Sequence, residues 1–303
     1  MACCPACESV RSQPSYLGQG RYQGCEFEYL ACCDCGSLFV DPMPDDAMLE
    51  RMYGPEYLDD HYALELTGEA TRREFGLELR EAVRLIAERR PGARVLDVGS
   101  GAGQFLTQAC AAGLHPEGYE RVPATARAMA TLIGIPVSHG ELRALSGRFD
   151  VVHVADVLEH SPRPLDLLLR IRSLLPRGGF VIARGPLENQ ANLFQLVLRL
   201  SRLARNGARL VSTTEQSPYH LILFTLTGWH RLIRRAGFRV SQERVYELHW
   251  PAPERFTLQP VAIVKELSLV ISRSRPLRAF RLGNRVISVL TANEETLPLA
   301  CSA

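Results

Sequence analysis

Lysine is almost absent from this sequence of 303 residues: Lys265 is the only one among 35 lysines and arginines. Arginine replaces it nearly everywhere, which we attribute to genomic base composition rather than function. Excess charge is also absent, because the formal net charge is +2, and this argues against nucleic-acid binding as the main activity. No run of about 18 uncharged apolar residues occurs, so we expect no membrane span. The first residues, MACCPACESV, contain no basic and then apolar export signal, so we expect a cytoplasmic protein.

A glycine-rich stretch from Arg94 to Phe105, RVLDVGSGAGQF, organises the rest of the chain. Apolar residues surround Asp97, and glycine then occupies positions 99, 101 and 103. This pattern predicts a buried parallel strand that turns tightly into a helix, where backbone N–H groups lie open to an anionic or polar ligand. A nicotinamide-dependent oxidoreductase is the less favoured alternative, because the fingerprint G-x-G-x-x-G requires glycine where Gln104 stands.

Glu120 ends the next predicted strand, 19 residues after Gly101. A βαβ unit places a carboxylate at this point to bind the two hydroxyls of a ribose. We therefore predict that Glu120 binds ribose. The alternative is a solvated acid at the end of a strand.

The G-x-G-x-G turn, with an acid two residues before it, resembles motif I of the class I S-adenosylmethionine (SAM) methyltransferases. The resemblance implies that the methionine end of SAM lies over the three glycines, Gly99, Gly101 and Gly103. It implies that Asp97 is buried, where it holds the glycine turn or contacts the ligand through water. It also implies that Glu141 and Leu142, after the third strand, hold the adenine.

The fourth predicted strand, 149–154, continues into the segment Ala155-Asp156-Val157-Leu158-Glu159-His160. Because the carboxyl ends of strands one and four flank the ligand crevice of an open α/β sheet, this segment should face the sulfonium and the acceptor. Asp156 is a candidate cofactor ligand, and Glu159 and His160 are candidate proton acceptors; the alternative is that the last two cap and brace the loop. The series FDVV…DVLEH and the later LLPRGGFVIA are similar to the methyltransferase branch that includes quinone-biosynthesis enzymes.

The predicted elements alternate as strand and helix, the order of a doubly wound sheet. We predict an α/β, Rossmann-like sheet of seven strands, whose last strand, from Arg285 to Leu290, is antiparallel and inserted beside strand six. We divide the chain into a small ribbon (1–45), a helical linker (46–90), a methyltransferase domain (91–292) and a disordered tail (293–303). Helical lid insertions are expected at 185–224, with a helix from Asn192 to Arg205, and at 249–281.

Two C-x-x-C pairs lie near the N-terminus and predict a tetrahedral thiolate site for zinc. The expected ligands are Cys4, Cys7, Cys32 and Cys35. Iron could replace zinc, and a disulfide pair is the weaker alternative. Cys3, Cys25 and Cys33 are spare thiols, so the ligand choice could shift by one residue. The alternating Tyr22, Phe27 and Tyr29 predict a strand that returns from one pair to the other.

The CPxC pair, the following CxxCG-LFVDPMP and a helix leading to Tyr53 and Tyr57 resemble a zinc-ribbon extension. Such an extension is carried by a group of bacterial SAM methyltransferases that includes sugar C-methyltransferases. The resemblance implies that the two tyrosines lie near the substrate cleft. The alternative is that Tyr53, Tyr57 and Tyr62 only pack a linking helix.

His220 is the leading candidate for a general base. The segment from His220 to Thr225 resembles the H-x-x-x-F-[ST] element of the same family, and imidazole has a suitable pKa for taking a proton from a hydroxyl or amine. The alternative is that His220 caps the lid or hydrogen-bonds the fold. The sugar C-methyltransferases carry Tyr-His-Glu before this histidine, whereas this chain has Ser217, Pro218 and Tyr219. O- or N-methylation is therefore favoured over carbanion chemistry.

We thus expect a SAM-dependent methyltransferase with a structural zinc ion, acting on a small molecule such as a sugar, a natural-product intermediate or a glycan. A C-methyltransferase of a keto-sugar and a non-catalytic binding module are the alternatives.

Overall fold

The computed structural model describes residues 2–53, 69–190, 218–247 and 283–293. Several predicted features lie outside these ranges: Tyr57, Tyr62 and Ser217, the helix expected at 192–205, the insertion expected at 249–281, and all but the first residue of the tail expected at 293–303. Within the described ranges, no helix is long and apolar enough to cross a membrane.

The N-terminal part of the chain forms a small antiparallel sheet. β1 (Ser12–Tyr22) and β2 (Cys25–Cys32) pair as a hairpin, and β3 (Leu38–Asp41) lies beside β2. The strand predicted to return between the cysteine pairs is β2, which contains Phe27 and Tyr29, but Tyr22 lies on a separate strand, β1. Gln23 and Gly24 have φ angles of 48° and 81°, as in the type I′ turn that connects hairpin strands, so the segment reverses between them.

The fourth strand of this small sheet comes from a segment much later in the sequence. β9 (Ile222–Leu223) pairs antiparallel with β3, which gives the order β1-β2-β3-β9. This strand was not expected from the sequence, because two residues are too few to show a hydrophobic alternation. The segment after His220 is therefore part of the N-terminal sheet.

The central sheet has seven strands in the order β10-β11-β8-β7-β4-β5-β6. Their bounds are β4 (Arg94–Val98), β5 (His115–Tyr119), β6 (Val137–Ser138), β7 (Val151–Ala155), β8 (Phe180–Pro186), β10 (Phe238–Tyr246) and β11 (Arg285–Ala292). β11 is antiparallel to both of its neighbours, β8 and β10, and the pairs among β8, β7, β4, β5 and β6 are parallel. The predicted fold class is confirmed, including the antiparallel last strand inserted beside strand six.

Helices cover both faces of the central sheet. They are α1 (Asp46–Met52), α2 (Glu69–Arg89), α3 (Gln104–Ala111), α4 (Pro123–Ile133), α5 (Pro164–Leu174) and α6 (Leu226–Arg235). Alternate strand residues enter opposite cores, as a sheet buried on both faces requires. Val95 and Val151 pack with α2 and α3, whereas Leu96 and Val152 share a core with α5, α6 and the N-terminal sheet. The small sheet is thus packed into the main core.

Candidate active site

The glycine turn follows β4 at the carboxyl edge of the central sheet. Gly99, Gly101 and Gly103 all have positive φ, at 76°, 49° and 72°. A Cβ at Gly99 would lie 2.5 Å from Val157 Cγ2, so the space as well as the backbone angle requires glycine there. Gly103 is the N-cap of α3, which leaves the first N–H groups of that helix facing the turn.

Glu120 lies at the end of β5 and faces the glycine turn. Its two carboxylate oxygens accept hydrogen bonds from the N–H groups of Gly101, at 3.2 Å, and Val122, at 3.3 Å. Burial raises the pKa of Glu120, and the hydrogen bonds partly oppose that rise. This position, beside the turn and at the strand end, fits a carboxylate that binds ribose hydroxyls.

Asp97 is buried behind the turn and contacts the neighbouring strand. Its Oδ1 lies 2.7 Å from His153 Nδ1 on β7, and the ring of Phe105 stacks on His153 with 3.9 Å between centroids. Asp97 therefore ties β4 to β7 directly beneath the turn.

Glu141 and Leu142 follow the short strand β6. Glu141 is exposed and forms an ion pair with Arg143. Leu142 is half-buried against the main core, and its carbonyl accepts a hydrogen bond from Arg170 Nε at 3.2 Å. This turn lies next to the end of β5, because the Tyr119 hydroxyl donates to the Gly140 carbonyl.

Asp156 is part of a buried charge network. Its carboxylate lies 2.6 Å from Arg285 Nη1 and 3.3 Å from Arg184 Nη2. Glu78 on α2 contacts the same two arginines, at 3.0 Å and 2.8 Å, and accepts a hydrogen bond from Tyr246. Burial alone would raise the pKa of Asp156, but the two guanidinium groups outweigh it and lower the pKa below its usual range. Sequence reasoning missed Glu78, Arg184 and Arg285, which are far apart along the chain.

Three predicted candidates for proton transfer do come together. Glu159, His160 and His220 each have a polar atom within 4.8 Å of the others, and the two imidazole rings lie 4.7 Å apart. Glu159 is buried, and neither of its carboxylate oxygens has a hydrogen-bond partner among the described residues. Burial, and then repulsion from Asp156, raise the pKa of Glu159 to about 8, so this carboxyl group is mainly neutral at pH 7.

Glu188 is a member of this site that sequence reasoning missed. Its Oε2 lies 2.6 Å from His220 Nδ1. Burial favours the neutral imidazole of His220, but the negative charge and hydrogen bond of Glu188 outweigh this effect and raise the pKa of His220 to about 9. A signal was available, because Glu188 lies just past the carboxyl end of β8, where polar residues of such sheets line the crevice.

Tyr53, which follows α1, also reaches the site. Its hydroxyl donates to the Tyr219 carbonyl at 2.7 Å and lies 3.1 Å from His160 Nδ1. His160 Nδ1 is itself 2.8 Å from the same carbonyl. The N-terminal part of the chain therefore supplies one side of the cluster around His220.

The four predicted cysteine ligands converge beside the turn between β2 and β3. Cys4 Sγ lies 3.7 Å from Cys35 Sγ, and Cys7 Sγ lies 3.5 Å from Cys32 Sγ. Thiolates placed about 2.3 Å from a tetrahedral zinc ion stand about 3.8 Å apart, so the donor set and spacing fit this metal. The hydrogen bond between Cys4 and Cys35 lowers the pKa of Cys35 and raises that of Cys4, so Cys35 is the first of this pair to become a thiolate. The spare thiols Cys3, Cys25 and Cys33 are exposed.

The family model described as "Methyltransferase domain" matches residues 71–243, more than half of the chain. The chain belongs to this methyltransferase family. The match spans the glycine turn, Glu120 and the Glu159–His220 cluster. It contradicts the alternatives of a nicotinamide-dependent oxidoreductase and a non-catalytic module. No curated protein matches the sequence significantly.

Solved methyltransferase structures share the fold. Magnesium protoporphyrin IX methyltransferase from Synechocystis, with bound SAH, has a TM-score of 0.53 at 14% identity, covering 82% of this chain and 100% of that one. A possible histamine N-methyltransferase from Thermotoga maritima has a TM-score of 0.50 at 15% identity, with 80% and 100% covered. 1,6-Didemethyltoxoflavin-N1-methyltransferase from Burkholderia thailandensis has a TM-score of 0.51 at 15% identity, covering 86% of this chain and 97% of that one. The methyltransferase is thus a class I, SAM-dependent enzyme.

Proposed function

We propose that this methyltransferase transfers a methyl group from SAM to an oxygen or nitrogen atom of a small molecule, and that His220 accepts the acceptor's proton. The observation that carries the proposal is the contact of 2.6 Å between Glu188 and His220 Nδ1, beside Glu159 and His160. Because Glu188 uses Nδ1, Nε2 is the nitrogen that would take the proton. Glu188 would keep the ring oriented and stabilise the imidazolium that forms.

SAM supplies a methyl group made electrophilic by positive sulfur. We place its methionine end over Gly99, Gly101 and Gly103, its ribose on Glu120 and its adenine beside Glu141 and Leu142. The tight glycine turn and the carboxylate facing it support this placement. Asp97 would act indirectly, by holding β7 beneath the turn. We assign Asp156 to the arginine network rather than to SAM, because its carboxylate already binds Arg184 and Arg285.

The acceptor would lie between the glycine turn and the His220 cluster. In-line displacement requires its attacking atom within about 3 to 3.5 Å of the methyl carbon. His160, held by Tyr53, would flank the acceptor together with the buried Glu159. A sugar, a natural-product intermediate or a glycan remains the proposed acceptor class.

Carbon methylation of a keto-sugar is a second candidate, favoured by Tyr53 and His160, two further proton-carrying groups placed beside His220. The position of the methyl group in the product distinguishes the two. An NMR spectrum with a new methyl on oxygen or nitrogen supports the first candidate, and one on carbon supports the second.

We also infer that Cys4, Cys7, Cys32 and Cys35 hold a structural zinc ion. Four thiolates leave no open coordination position, so the ion would stabilise the small sheet and take no part in the chemistry. Elemental analysis of the purified protein distinguishes zinc from iron, and finding neither metal would contradict the inference.

The general-base role is tested by His220→Asn. We expect methyl transfer to fall by about 10² to 10⁴, while the affinity for SAM, measured by calorimetry, stays within about twofold because His220 lies on the acceptor side. His230→Asn is the matched control, because His230 Nε2 lies at the same distance, 2.6 Å, from a carboxylate, that of Glu243, away from the site. Full turnover by His220→Asn would eliminate the proposed role.

A further inference from the structure

We propose that the N-terminal sheet positions the His220–Glu188 pair, with Tyr29 as the positioning residue that holds the His220 backbone. The inference rests on the proposed function of His220. It joins the cysteine cluster and the acceptor site into one structural unit. The small sheet would then orient the groups that carry out methyl transfer, in addition to stabilising the fold.

The His220 peptide is held from both sides. The Tyr29 hydroxyl on β2 donates to the His220 carbonyl at 2.8 Å. Burial, and then the negative charge of Glu188, raise the pKa of Tyr29, which keeps this hydroxyl protonated as a donor. On the other side, the Leu221 N–H donates to the Glu159 carbonyl at 2.8 Å.

The residues after His220 are paired into the small sheet. The Val40 N–H donates to the Leu221 carbonyl at 3.0 Å, and Ile222 lies opposite Phe39 in β9 and β3. A strand paired in this way has one register, because a shift by one residue would turn Ile222 out of the core. The pairing with β3 therefore fixes the position of the His220 backbone.

The Glu188 side of the pair is anchored on the turn that carries Cys35. Asn189, next to Glu188, donates from its side-chain amide to the Gly36 carbonyl at 2.6 Å and accepts from the Tyr16 hydroxyl at 3.2 Å. The Thr225 hydroxyl donates to the Cys35 carbonyl at 2.6 Å. Both carbonyls belong to the turn that brings Cys32 and Cys35 to the other two cysteines.

This arrangement links the cysteine cluster to the catalytic geometry. A metal held by Cys32 and Cys35 would fix the orientation of the Cys35 and Gly36 carbonyls, and these hold Thr225 and Asn189 on either side of the His220–Glu188 pair. Small displacements of a reacting group are costly, since a misplacement of about 1 Å can reduce a rate about a hundredfold.

Tyr29→Phe tests the positioning role. Tyr22→Phe in the same sheet is its matched control, because the Tyr22 hydroxyl lies at the turn between β1 and β2 and accepts a hydrogen bond from the Gln23 side-chain amide at 3.3 Å. We expect Tyr29→Phe to lower kcat about fivefold to tenfold through loss of one hydrogen bond, with KM for SAM within about twofold. The proton resonance of His220 Nδ1–H should shift or broaden in this variant and stay unchanged in Tyr22→Phe. A Tyr29→Phe enzyme with wild-type kcat and an unchanged resonance would overturn the proposal.

The resonance separates this inference from the proposed function. If no acceptor is methylated by the wild-type protein, the proposed function fails, but the resonance still shows whether Tyr29 holds His220.

Removal of metal from the full-length protein with a chelator tests the link to the cysteines. We expect faster amide hydrogen exchange at Val40 and Thr225 and a loss of methyl transfer, with SAM affinity unchanged. Equal exchange before and after chelation would contradict the link.

Discussion

His220 and Glu188 determine how the proposed chemistry depends on pH. The carboxylate raises the pKa of His220 to about 9, from an ordinary value of 6.5. At pH 7 the ring is therefore mostly the imidazolium, which cannot accept a proton, and the neutral minority is a stronger base than an ordinary histidine. Activity that uses this base must rise as the pH rises toward 9.

The pH profile of Glu188→Gln tests this pair. In the wild type, kcat should increase about tenfold per pH unit from pH 7 and level off near pH 9, where the imidazolium loses its proton. Removing the carboxylate lowers the pKa of His220, so the plateau of the variant should begin at lower pH, toward 6.5, with a lower maximum. Glu243→Gln, which removes the partner of His230, should keep the wild-type profile. Identical profiles for Glu188→Gln and wild type would show that His220 does not govern the rate.

At the scale of elements, the strand–turn–helix unit β4–α3 is where close packing and ligand binding coincide. Gly99 has a positive φ of 76° and approaches Val157, which follows β7. Gly113, after α3, has nearly the same φ, 75°, but no atom of the residues that the structure describes lies within 4 Å of where its Cβ would be. Comparing substitutions at the two glycines therefore distinguishes the effect of backbone strain, which both share, from the effect of crowding, which is expected at Gly99.

Gly99→Ala and Gly113→Ala should differ in SAM binding. Both variants should lose about 1–2 kcal/mol of unfolding free energy, the cost of a left-handed backbone for alanine. Only Gly99→Ala forces the turn away from Val157, so its affinity for SAM should fall at least about tenfold in a calorimetric titration. Wild-type affinity in Gly99→Ala would place the methionine end of SAM elsewhere.

At the scale of the whole molecule, one charge network ties the helical linker to the central sheet. Glu78 on α2 contacts Arg184 on β8, Arg285 on β11 and Tyr246 on β10, and the same arginines contact Asp156. The two acids balance the two arginines, and Glu78, Arg184 and Arg285 are buried. Removal of the Glu78 charge leaves two buried arginines with Asp156 as the one acid that contacts both of them.

Glu78→Gln should therefore lower the free energy of unfolding by about 3–5 kcal/mol, since breaking a buried ion pair leaves an uncompensated charge. Chemical denaturation of the full chain measures this loss. Glu81→Gln on the same helix is the control, because its partner Arg84 is about half exposed and solvent already screens the pair. Equal stability of the two variants would show that the network does not stabilise the fold.

The local features of the catalytic sheet follow from the sequence by itself. Apolar runs followed by glycine predict the strands and the turn, and their order predicts the doubly wound sheet, because strand pairing in such folds follows from right-handed crossovers between consecutive units. The position of Glu120 likewise depends on a short unit, since only 19 residues separate it from Gly101. Cysteine spacing indicates the thiolate cluster for the same reason.

The acceptor side depends on contacts that no local pattern contains. Tyr29 and His220 are 191 residues apart, and Glu188 and His220 are 32 apart, yet each pair is in direct contact. The position of Asp156 just after the fourth predicted strand predicts a cofactor ligand, whereas in the structure its carboxylate contacts Arg285, which is 129 residues away. The sequence by itself predicted the fold, because the fold depends on short-range periodicity, and it predicted the methyl donor through the resemblance of its glycine turn to motif I of the SAM methyltransferases. Only the tertiary structure decided which groups surround His220, because packing of distant segments sets their distances and charges.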